Sequence, residues 1–277
     1  MNTPIKLSLQ CGREVEFDLP EVNPDHPHTT FVLGVRKSGS TLLNRLVIAI
    51  GKHYNVPFVD IGGGFFSRDL KASQWVDDLA VQEVFKPGYI FGGFRASYTH
   101  FQASPVFKES RKILLVRDPR DALVSQYFST LKTHSLPKLQ QGEGGAAEQI
   151  LKQREEAAKL TVDDYVLLNA RSFRRTLEGY VPLLEDDNLK LFRYEDVIED
   201  KEPWIRRMLD VMQLPKHKGF IEKLVELNDI KPGTENTAEF IRKVTPGDHV
   251  EKLRSSTIEA LNLIFEDVGR QFGYRLR

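Results

Sequence analysis

The 277-residue chain is long enough for one large domain or two small ones, with a sizeable apolar core. Its 39 basic and 39 acidic residues cancel, which argues against bulk attraction to nucleic acid or to a membrane surface. Cys11 is the only cysteine, so an intramolecular disulfide framework and a thiolate metal cluster are excluded. The N-terminus has no secretory-signal pattern, and no apolar run approaches the roughly 20 residues that cross a bilayer, so we expect a cytoplasmic protein without a membrane span.

Residues 1–30 predict a strand pair, IKLSLQ and EVEFDL, followed by a polar connector. Residues 31–277 are predicted to form a single domain, in which short apolar runs alternate with longer segments of helical periodicity. The apolar runs are FVLGV (31–35), VPFVD (56–60), GYIFGGF (88–94), KILLV (112–116) and LKLF (189–192). This alternation predicts an α/β fold of P-loop-like, three-layer type, with a central parallel sheet flanked by helices.

Residues 137–160, PKLQQGEGGAAEQILKQREEAAKL, interrupt this alternation. The segment is rich in glycine, glutamine and charge. We interpret it as a mobile insertion within the domain, a candidate lid, rather than as a domain boundary.

The segment FVLGVRKSGSTLLNRLV (31–47) joins a strand to a helix through a glycine-rich turn. Backbone N–H groups in such a turn, together with the start of the helix, form an anion site. A triphosphate-binding P-loop has a lysine after its second glycine, but here Ser40 holds that place and Lys37 lies in mid-loop. The loop therefore suits a 5′-phosphate better than a triphosphate, and a plain strand-to-helix turn is the alternative.

The segment KILLVRDPRDALVSQYFS (112–129) brings Arg117 to the carboxyl edge of the predicted sheet, where ligands bind in α/β folds. Asp118 and Pro119 predict the start of a helix, and Ser125 lies about two turns along it. A guanidinium and a helix-borne hydroxyl suit a phosphate monoester. The alternative is an Arg–Asp capping pair with a surface serine.

These two segments together resemble the 5′-phosphosulfate loop (RKSGSTLL) and the 3′-phosphate motif (VRDPRDALVSQYF) of the cytosolic sulfotransferase superfamily. Members of that superfamily transfer a sulfuryl group from 3′-phosphoadenosine 5′-phosphosulfate (PAPS). LFRYEDV (191–197) and FIRKVTPGDHVEKL (240–253) resemble two further motifs of the family, in the same order. The resemblance covers roughly residues 31–275 and implies one sulfotransferase domain.

The resemblance implies that PAPS is the co-substrate and that no metal is required. Lys37 is then expected to bind the oxygen that bridges phosphate and sulfate, and to take part in catalysis. The other cofactor-binding residues that it implies are Ser38, Gly39, Ser40, Thr41 and Leu42 at the 5′-phosphate, Arg117, Ser125, Arg242 and Lys243 at the 3′-phosphate, and Tyr194 at the adenosine. Leu42 and His249 replace tryptophans of the family pattern, and Val244 replaces a glycine.

The residue that accepts the acceptor's proton is left open between two candidates. Family members with small acceptors usually carry a histidine before the arginine motif, but counting back from Arg117 places Arg95 there. A guanidinium stays protonated and cannot act as a base. His100, the only histidine in that stretch, is the first candidate, and Asp60 is the second.

The implied acceptor is a hydroxyl or amine of a small molecule or glycan, and a homodimer is a candidate assembly. The candidate acceptor-binding residues are Asp60, Phe94, Arg95 and Tyr98. Nearby aromatic residues are either core or ligand platform, and Arg95 is either an anchor for an anionic acceptor or part of a structural ion pair. The run Gly62-Gly63-Gly64 indicates a backbone that makes room for a bulky group.

Two other functional classes remain as alternatives. An ATP-dependent kinase of the P-loop class would use Mg²⁺, and the missing Walker lysine argues against it. A nucleotide-binding module without catalysis is favoured mainly by the absence of a histidine at the expected base position.

Overall fold

The protein is built on seven strands and eleven helices within the part of the chain that the computed structural model describes, residues 3–95, 99–133, 136–137, 145–228 and 246–276. The strands are β1 (Thr3–Ser8), β2 (Glu14–Leu19), β3 (Thr30–Gly34), β4 (Phe58–Asp60), β5 (Ile90–Phe94), β6 (Arg111–Val116) and β7 (Leu189–Arg193). The helices are α1 (Ser40–Tyr54), α2 (Ile61–Ser67), α3 (Pro105–Glu109), α4 (Pro119–Phe128), α5 (Ala146–Ala157), α6 (Val162–Glu178), α7 (Tyr194–Val197), α8 (Lys201–Val211), α9 (Lys218–Asn228), α10 (Asp248–Lys252) and α11 (Ser255–Gln271).

The central sheet has five strands in the order β4-β5-β3-β6-β7, and every neighbouring pair is parallel. Each of the five apolar runs seen in the sequence forms one of these strands. All five residues of β3 are buried, as expected for a strand that is covered on both faces. The prediction of an α/β fold with a central parallel sheet is confirmed.

An apolar core lies on each face of the sheet, because alternate residues of a strand point to opposite sides. On β3, Phe31 and Leu33 belong to one core and Val32 to the other. Helices α4, α6 and α11 cover the first face, and α1, α8 and α9 cover the second. Within the described ranges, no helix combines the length and the apolar character needed to cross a membrane.

The first two strands form an antiparallel hairpin that packs on the first face. Leu7 and Phe17 point inward from this hairpin and are buried, and the ring of Phe17 meets Phe65 of α2 edge-on at 5.2 Å. The hairpin therefore extends the apolar core on the first face of the sheet.

Helix α5 is formed by residues from the predicted insertion. Asp69 holds its first turn, since its Oδ1 accepts the Ala147 N–H at 2.7 Å and its carbonyl accepts the Ala146 N–H at 3.1 Å. Residues 138–144 lie outside the described part of the chain, and the mobility of the insertion stays a prediction.

Candidate active site

The residues that follow the five parallel strands meet at one edge of the sheet. In the order of the strands they are Asp60 at the end of β4, Arg95 after β5, the loop of residues 35–39 after β3, Arg117 after β6 and Tyr194 after β7. The loop after the central strand thus lies between Arg95 on one side and Arg117 on the other. This is the edge at which parallel sheets usually bind ligands.

Ser38 closes the loop after β3 from within. Its side chain is fully buried, and its Oγ donates to the carbonyls of Val35 at 2.6 Å and Leu115 at 3.0 Å. Its backbone N–H bonds to the Val35 carbonyl at 3.2 Å. The Ser38 hydroxyl therefore fixes the shape of the loop and ties it to β6, and the expected place of Ser38 at the 5′-phosphate stays a prediction.

Two residues of the loop adopt left-handed backbone conformations, Lys37 with φ 63° and Gly39 with φ 91°. Such turns form the concave backbone surfaces that bind anions. Glycine is needed at position 39 for a second reason, because an added Cβ would lie 2.9 Å from Cδ2 of Tyr194. Tyr194 thus packs directly against the loop.

Helix α1 starts at Ser40 without a side-chain cap on its first N–H groups. These groups carry the positive end of the helix dipole and favour an anion. Ser40 is half-buried and Thr41 is exposed at this end. Leu42 packs on the apolar core under α1. Since it stands where the family pattern has a tryptophan, this position offers no aromatic ring.

Arg117 is buried beside the loop but is only loosely paired. Its Cζ lies 4.5 Å from the centre of the Tyr194 ring, a cation–π distance. Its guanidinium makes two long contacts, 3.5 Å to the Lys37 carbonyl and 3.6 Å to Oδ2 of Asp121. Its Nε is buried and has no hydrogen-bond partner among the described residues. The arrangement leaves donor capacity for an anion.

Arg120, by contrast, is fully paired. It bonds to both oxygens of Asp118, at 3.0 Å and 2.7 Å, and to Oδ1 of Asn262 at 2.8 Å. Asp118 also caps α4 by accepting the Arg120 N–H. The capping pair that the sequence offered as an alternative for Arg117 thus exists, but Arg120 forms it.

Asp121 connects α4 to the start of α10. Its Oδ1 accepts from His249 Nδ1 at 2.6 Å and from the His249 N–H at 2.9 Å, and its Oδ2 accepts the Gly247 N–H at 2.7 Å. Burial alone would raise the pKa of Asp121, but the hydrogen bonds from His249 and the charge of Arg117 lower that pKa to about 2. Asp121 is therefore ionised at neutral pH.

Glu195, in α7, makes a similar connection to the start of α4. Its Oε1 accepts the Asp118 N–H at 2.9 Å, and its Oε2 accepts from the Tyr274 hydroxyl at 2.8 Å. Burial raises the pKa of Glu195 and that of Tyr274. Local sequence patterns did not single out either carboxylate as a site residue, although Asp121 lies in the segment 112–129 and Glu195 in the segment 191–197.

Ser125 lies on α4 two turns beyond Arg117 and is half-buried. Three further candidates, Tyr98, Arg242 and Lys243, lie outside the described residues. Their assignments stay predictions.

Asp60 stands at the far end of the same sheet edge. It is exposed, and its Oδ1 caps α2 by accepting the Gly63 N–H at 2.8 Å. The carboxylate fits tightly against Gly63 and Gly93, where an added Cβ would collide with it. Likewise, a Cβ at Gly62 would strike the Gly93 carbonyl, and one at Gly64 the ring of Phe17. The three-glycine run thus makes room for parts of its own chain.

His100 lies on a 3₁₀ turn, Thr99–Ala103, and its side chain is 49% exposed. Its Nε2 is 3.7 Å from Oδ1 of Asp77, and its carbonyl accepts from Gln82. In the part of the chain that the structure describes, its polar contacts are with these residues and none is with the phosphate loop. Its assignment as the general base stays a prediction.

The remaining acceptor-side candidates differ in exposure. Phe94 is only 2% exposed and packs on Phe31 and Phe101, so it belongs to the core and does not line a pocket. Phe65 is likewise buried and stacks on Trp75 at 4.5 Å. Arg95 is exposed directly after β5, beside the loop.

Comparison with known proteins identifies the family to which the chain is similar. The family profile described as "Sulfotransferase domain" matches residues 27–273. Mouse sulfotransferase 2A6 is 22% identical over 186 residues, a region that spans 61% of this chain and only 60% of the mouse protein. The structure of mouse sulfotransferase SULT7A1 complexed with PAP is similar with a TM-score of 0.61 at 13% identity, over 89% of this chain and 88% of that one. The structure of a retinol dehydratase complexed with retinol and PAP is similar with a TM-score of 0.54 at 15% identity, over 100% of this chain and 92% of that one. At these identities the structural likeness establishes the fold alone.

Proposed function

The chain belongs to the sulfotransferase domain family, and from this premise we propose that it transfers a sulfuryl group from PAPS to a hydroxyl or amine of an acceptor. The structures of mouse SULT7A1 and of the retinol dehydratase are complexes with PAP. PAP is adenosine 3′,5′-bisphosphate, the product that remains when PAPS has given up its sulfuryl group. The observation that carries the proposal is Arg117, buried beside the Lys37 loop with an unpartnered Nε among the described residues.

A donor with phosphates at both ends of its ribose needs two neighbouring anion sites, and the sheet edge offers two. The loop and the start of α1 suit the 5′-phosphosulfate, since backbone N–H groups and the helix dipole meet there. Arg117 suits the 3′-phosphate and lies 3.5 Å from the Lys37 carbonyl, so the two sites adjoin. Tyr194 contacts both Gly39 and Arg117, and we assign it to the adenosine between them.

In the transfer step, the acceptor oxygen or nitrogen forms a bond to sulfur as the bond from sulfur to the bridging oxygen breaks. The bridging oxygen keeps the electron pair and leaves with adenosine 3′,5′-bisphosphate. We assign Lys37 to this oxygen, where its charge offsets the negative charge that grows during the step. The proton of the acceptor group passes to a base of the protein.

We assign this base to Asp60 in preference to His100. Asp60 lies at the carboxyl edge of the sheet, exposed, and one strand separates β4 from β3. Two strand spacings amount to about 10 Å, which leaves room for the acceptor group and the sulfuryl group between Asp60 and the loop. The Nε2 of His100 lies 3.7 Å from the Asp77 carboxylate instead.

We infer that the acceptor is a small molecule with a hydroxyl group. Support comes from the retinol dehydratase structures, which contain retinol in one case and androsterone in the other. Arg95, exposed beside the loop, would suit an acceptor with an anionic group nearby. A glycan hydroxyl and an amine are the alternatives that an acceptor screen separates.

The test is incubation of the purified protein with sulfur-labelled PAPS and a panel of small alcohols, phenols, amines and glycans, in the presence of a chelator. We expect label on at least one hydroxyl acceptor. In parallel, thermal unfolding is followed with adenosine 3′,5′-bisphosphate, ADP and ATP, with and without Mg²⁺. Stabilisation only by ATP with Mg²⁺ would favour a kinase. Stabilisation by the bisphosphate without transfer to any acceptor would favour a binding module.

A further inference from the structure

The two arginines around Pro119 are paired very differently, although each has an aspartate within reach. Arg120 is saturated by Asp118 and Asn262 at 2.7–3.0 Å. Arg117, just before α4, and Asp121, in its first turn, are four residues apart and both buried, and a guanidinium beside a carboxylate can form a short ion pair. The closest approach of their charged atoms is nevertheless 3.6 Å.

The reason lies in the other partners of Asp121. Three N–H donors from residues 247–249 bind its carboxylate at 2.6–2.9 Å. The shortest of these comes from His249 Nδ1, which must carry the proton because an ionised carboxylate can only accept. The His249 side chain is buried, so water does not compete for this bond. The carboxylate is held toward the start of α10 and away from Arg117.

We propose that His249 is a positioning residue: it keeps Asp121 from closing a short ion pair with Arg117, and so leaves the guanidinium available to a 3′-phosphate. This inference rests on the proposed function, since it names what selects the 3′-phosphate at the same site. The chain departs here from its family's pattern, which has tryptophan at this position, and an indole nitrogen cannot occupy the place of Nδ1.

Substitutions at position 249 separate this role from simple packing. His249→Leu removes the donor and puts an apolar side chain of comparable size in its place. His249→Asn restores an N–H donor, because its amide nitrogen lies the same number of bonds from the backbone as Nδ1. His249→Gln carries the same amide one bond further out, where it cannot reproduce the contact with Asp121.

The measurement is the dissociation constant of each protein for adenosine 3′,5′-bisphosphate and for adenosine 5′-monophosphate, by titration calorimetry. The dissociation constant for the monophosphate divided by that for the bisphosphate reports recognition of the 3′-phosphate alone. We expect His249→Leu and His249→Gln to lower this ratio by about tenfold, because Arg117 then pairs with Asp121, and to change affinity for the monophosphate little. His249→Asn should retain the wild-type ratio.

An unchanged ratio in both His249→Leu and His249→Gln would overturn the inference, as would an equal loss of affinity for both ligands. If circular dichroism shows that His249→Leu does not fold, the contrast between the Asn and Gln variants decides. A wild-type protein that does not distinguish the two ligands would contradict the proposed function itself, an outcome that is visible before any variant is made.

Discussion

At the scale of single residues, the site depends on which cations already have carboxylate partners. Arg120 donates through three nitrogens to Asp118 and Asn262, and so stabilises the start of α4. Arg117 makes contacts of 3.5 Å and longer and retains an unpartnered Nε among the described residues. Removal of Arg117 is therefore expected to weaken nucleotide binding, and removal of Arg120 to lower the stability of the fold.

Arg117→Ala should weaken binding of adenosine 3′,5′-bisphosphate by about one to two orders of magnitude, because a charged hydrogen bond contributes roughly 1.5–3 kcal/mol. Its affinity for the 5′-monophosphate should hardly change. Arg120→Ala is the matched control and should instead lower the free energy of unfolding by about 3 kcal/mol, since it leaves Asp118 buried without its partner. Calorimetry and urea unfolding measure the two effects. If Arg120→Ala instead lost recognition of the 3′-phosphate selectively, Arg120 would be the phosphate-binding residue and not Arg117.

Lys37→Ala should lower kcat far more than it raises the dissociation constant for PAPS. The reason is that charge accumulates on the bridging oxygen only as its bond to sulfur breaks, so the lysine stabilises the transition state more than the bound donor. Steady-state kinetics on an identified acceptor, together with direct titration of the donor, test this. Normal kcat with weaker binding would mean that Lys37 only holds a phosphate.

Asp60→Asn should reduce kcat by roughly 10²–10⁴-fold while donor affinity is retained, because the base is lost and the nucleotide site is not. His100→Ala serves as the control and should keep most activity, since the imidazole faces Asp77. The reverse result, an inactive His100→Ala and an active Asp60→Asn, would restore the histidine as the base.

At the scale of elements, the loop between β3 and α1 is specified by one glycine that meets two separate demands. Gly39 has φ 91° and packs under the Tyr194 ring. In Gly39→Ala, both the left-handed backbone and the Tyr194 contact become unfavourable, and we expect a loss of at least about 1 kcal/mol of stability. Affinity for the 5′-phosphate should fall as well. Gly12→Ala is a useful control, because Gly12 also has positive φ (79°) but has no neighbour within 4 Å of an added Cβ.

The contact between α4 and the start of α10 should depend on pH through Asp121. Its pKa is lowered from 3.8 to about 2 in the folded protein, so the ionised carboxylate stabilises the fold above pH 3.8. That contribution, about 2 kcal/mol, is lost as the pH falls from about 4 toward 2. Urea unfolding of the wild type and Asp121→Asn between pH 6 and pH 3 should give a stability difference that narrows below pH 4. A difference independent of pH would assign the effect to packing.

At the scale of the whole molecule, local sequence patterns predicted the sheet because each parallel strand is a short apolar run between polar turns. They also predicted Arg117 at the carboxyl edge of the sheet, since residues that follow parallel strands share one edge, whereas Tyr194 was expected at the adenosine only through the resemblance to the sulfotransferases. The pairs Asp121–His249 and Glu195–Tyr274 join positions 128 and 79 residues apart, and no local pattern encodes such pairs. The 3₁₀ turn that carries His100 and its 3.7 Å contact with Asp77 could not be read from the sequence either, so the choice of base between His100 and Asp60 stays a prediction.

The central claim is that one sheet edge binds a nucleotide with phosphates at both its 3′ and 5′ positions. A crystal structure of the protein with adenosine 3′,5′-bisphosphate tests this most directly. We expect the 5′-phosphate on the backbone N–H groups at the start of α1 and the 3′-phosphate within hydrogen-bonding distance of Arg117. A bisphosphate bound elsewhere, or bound here with its 3′-phosphate in solvent and Arg117 turned to Asp121, would contradict the account.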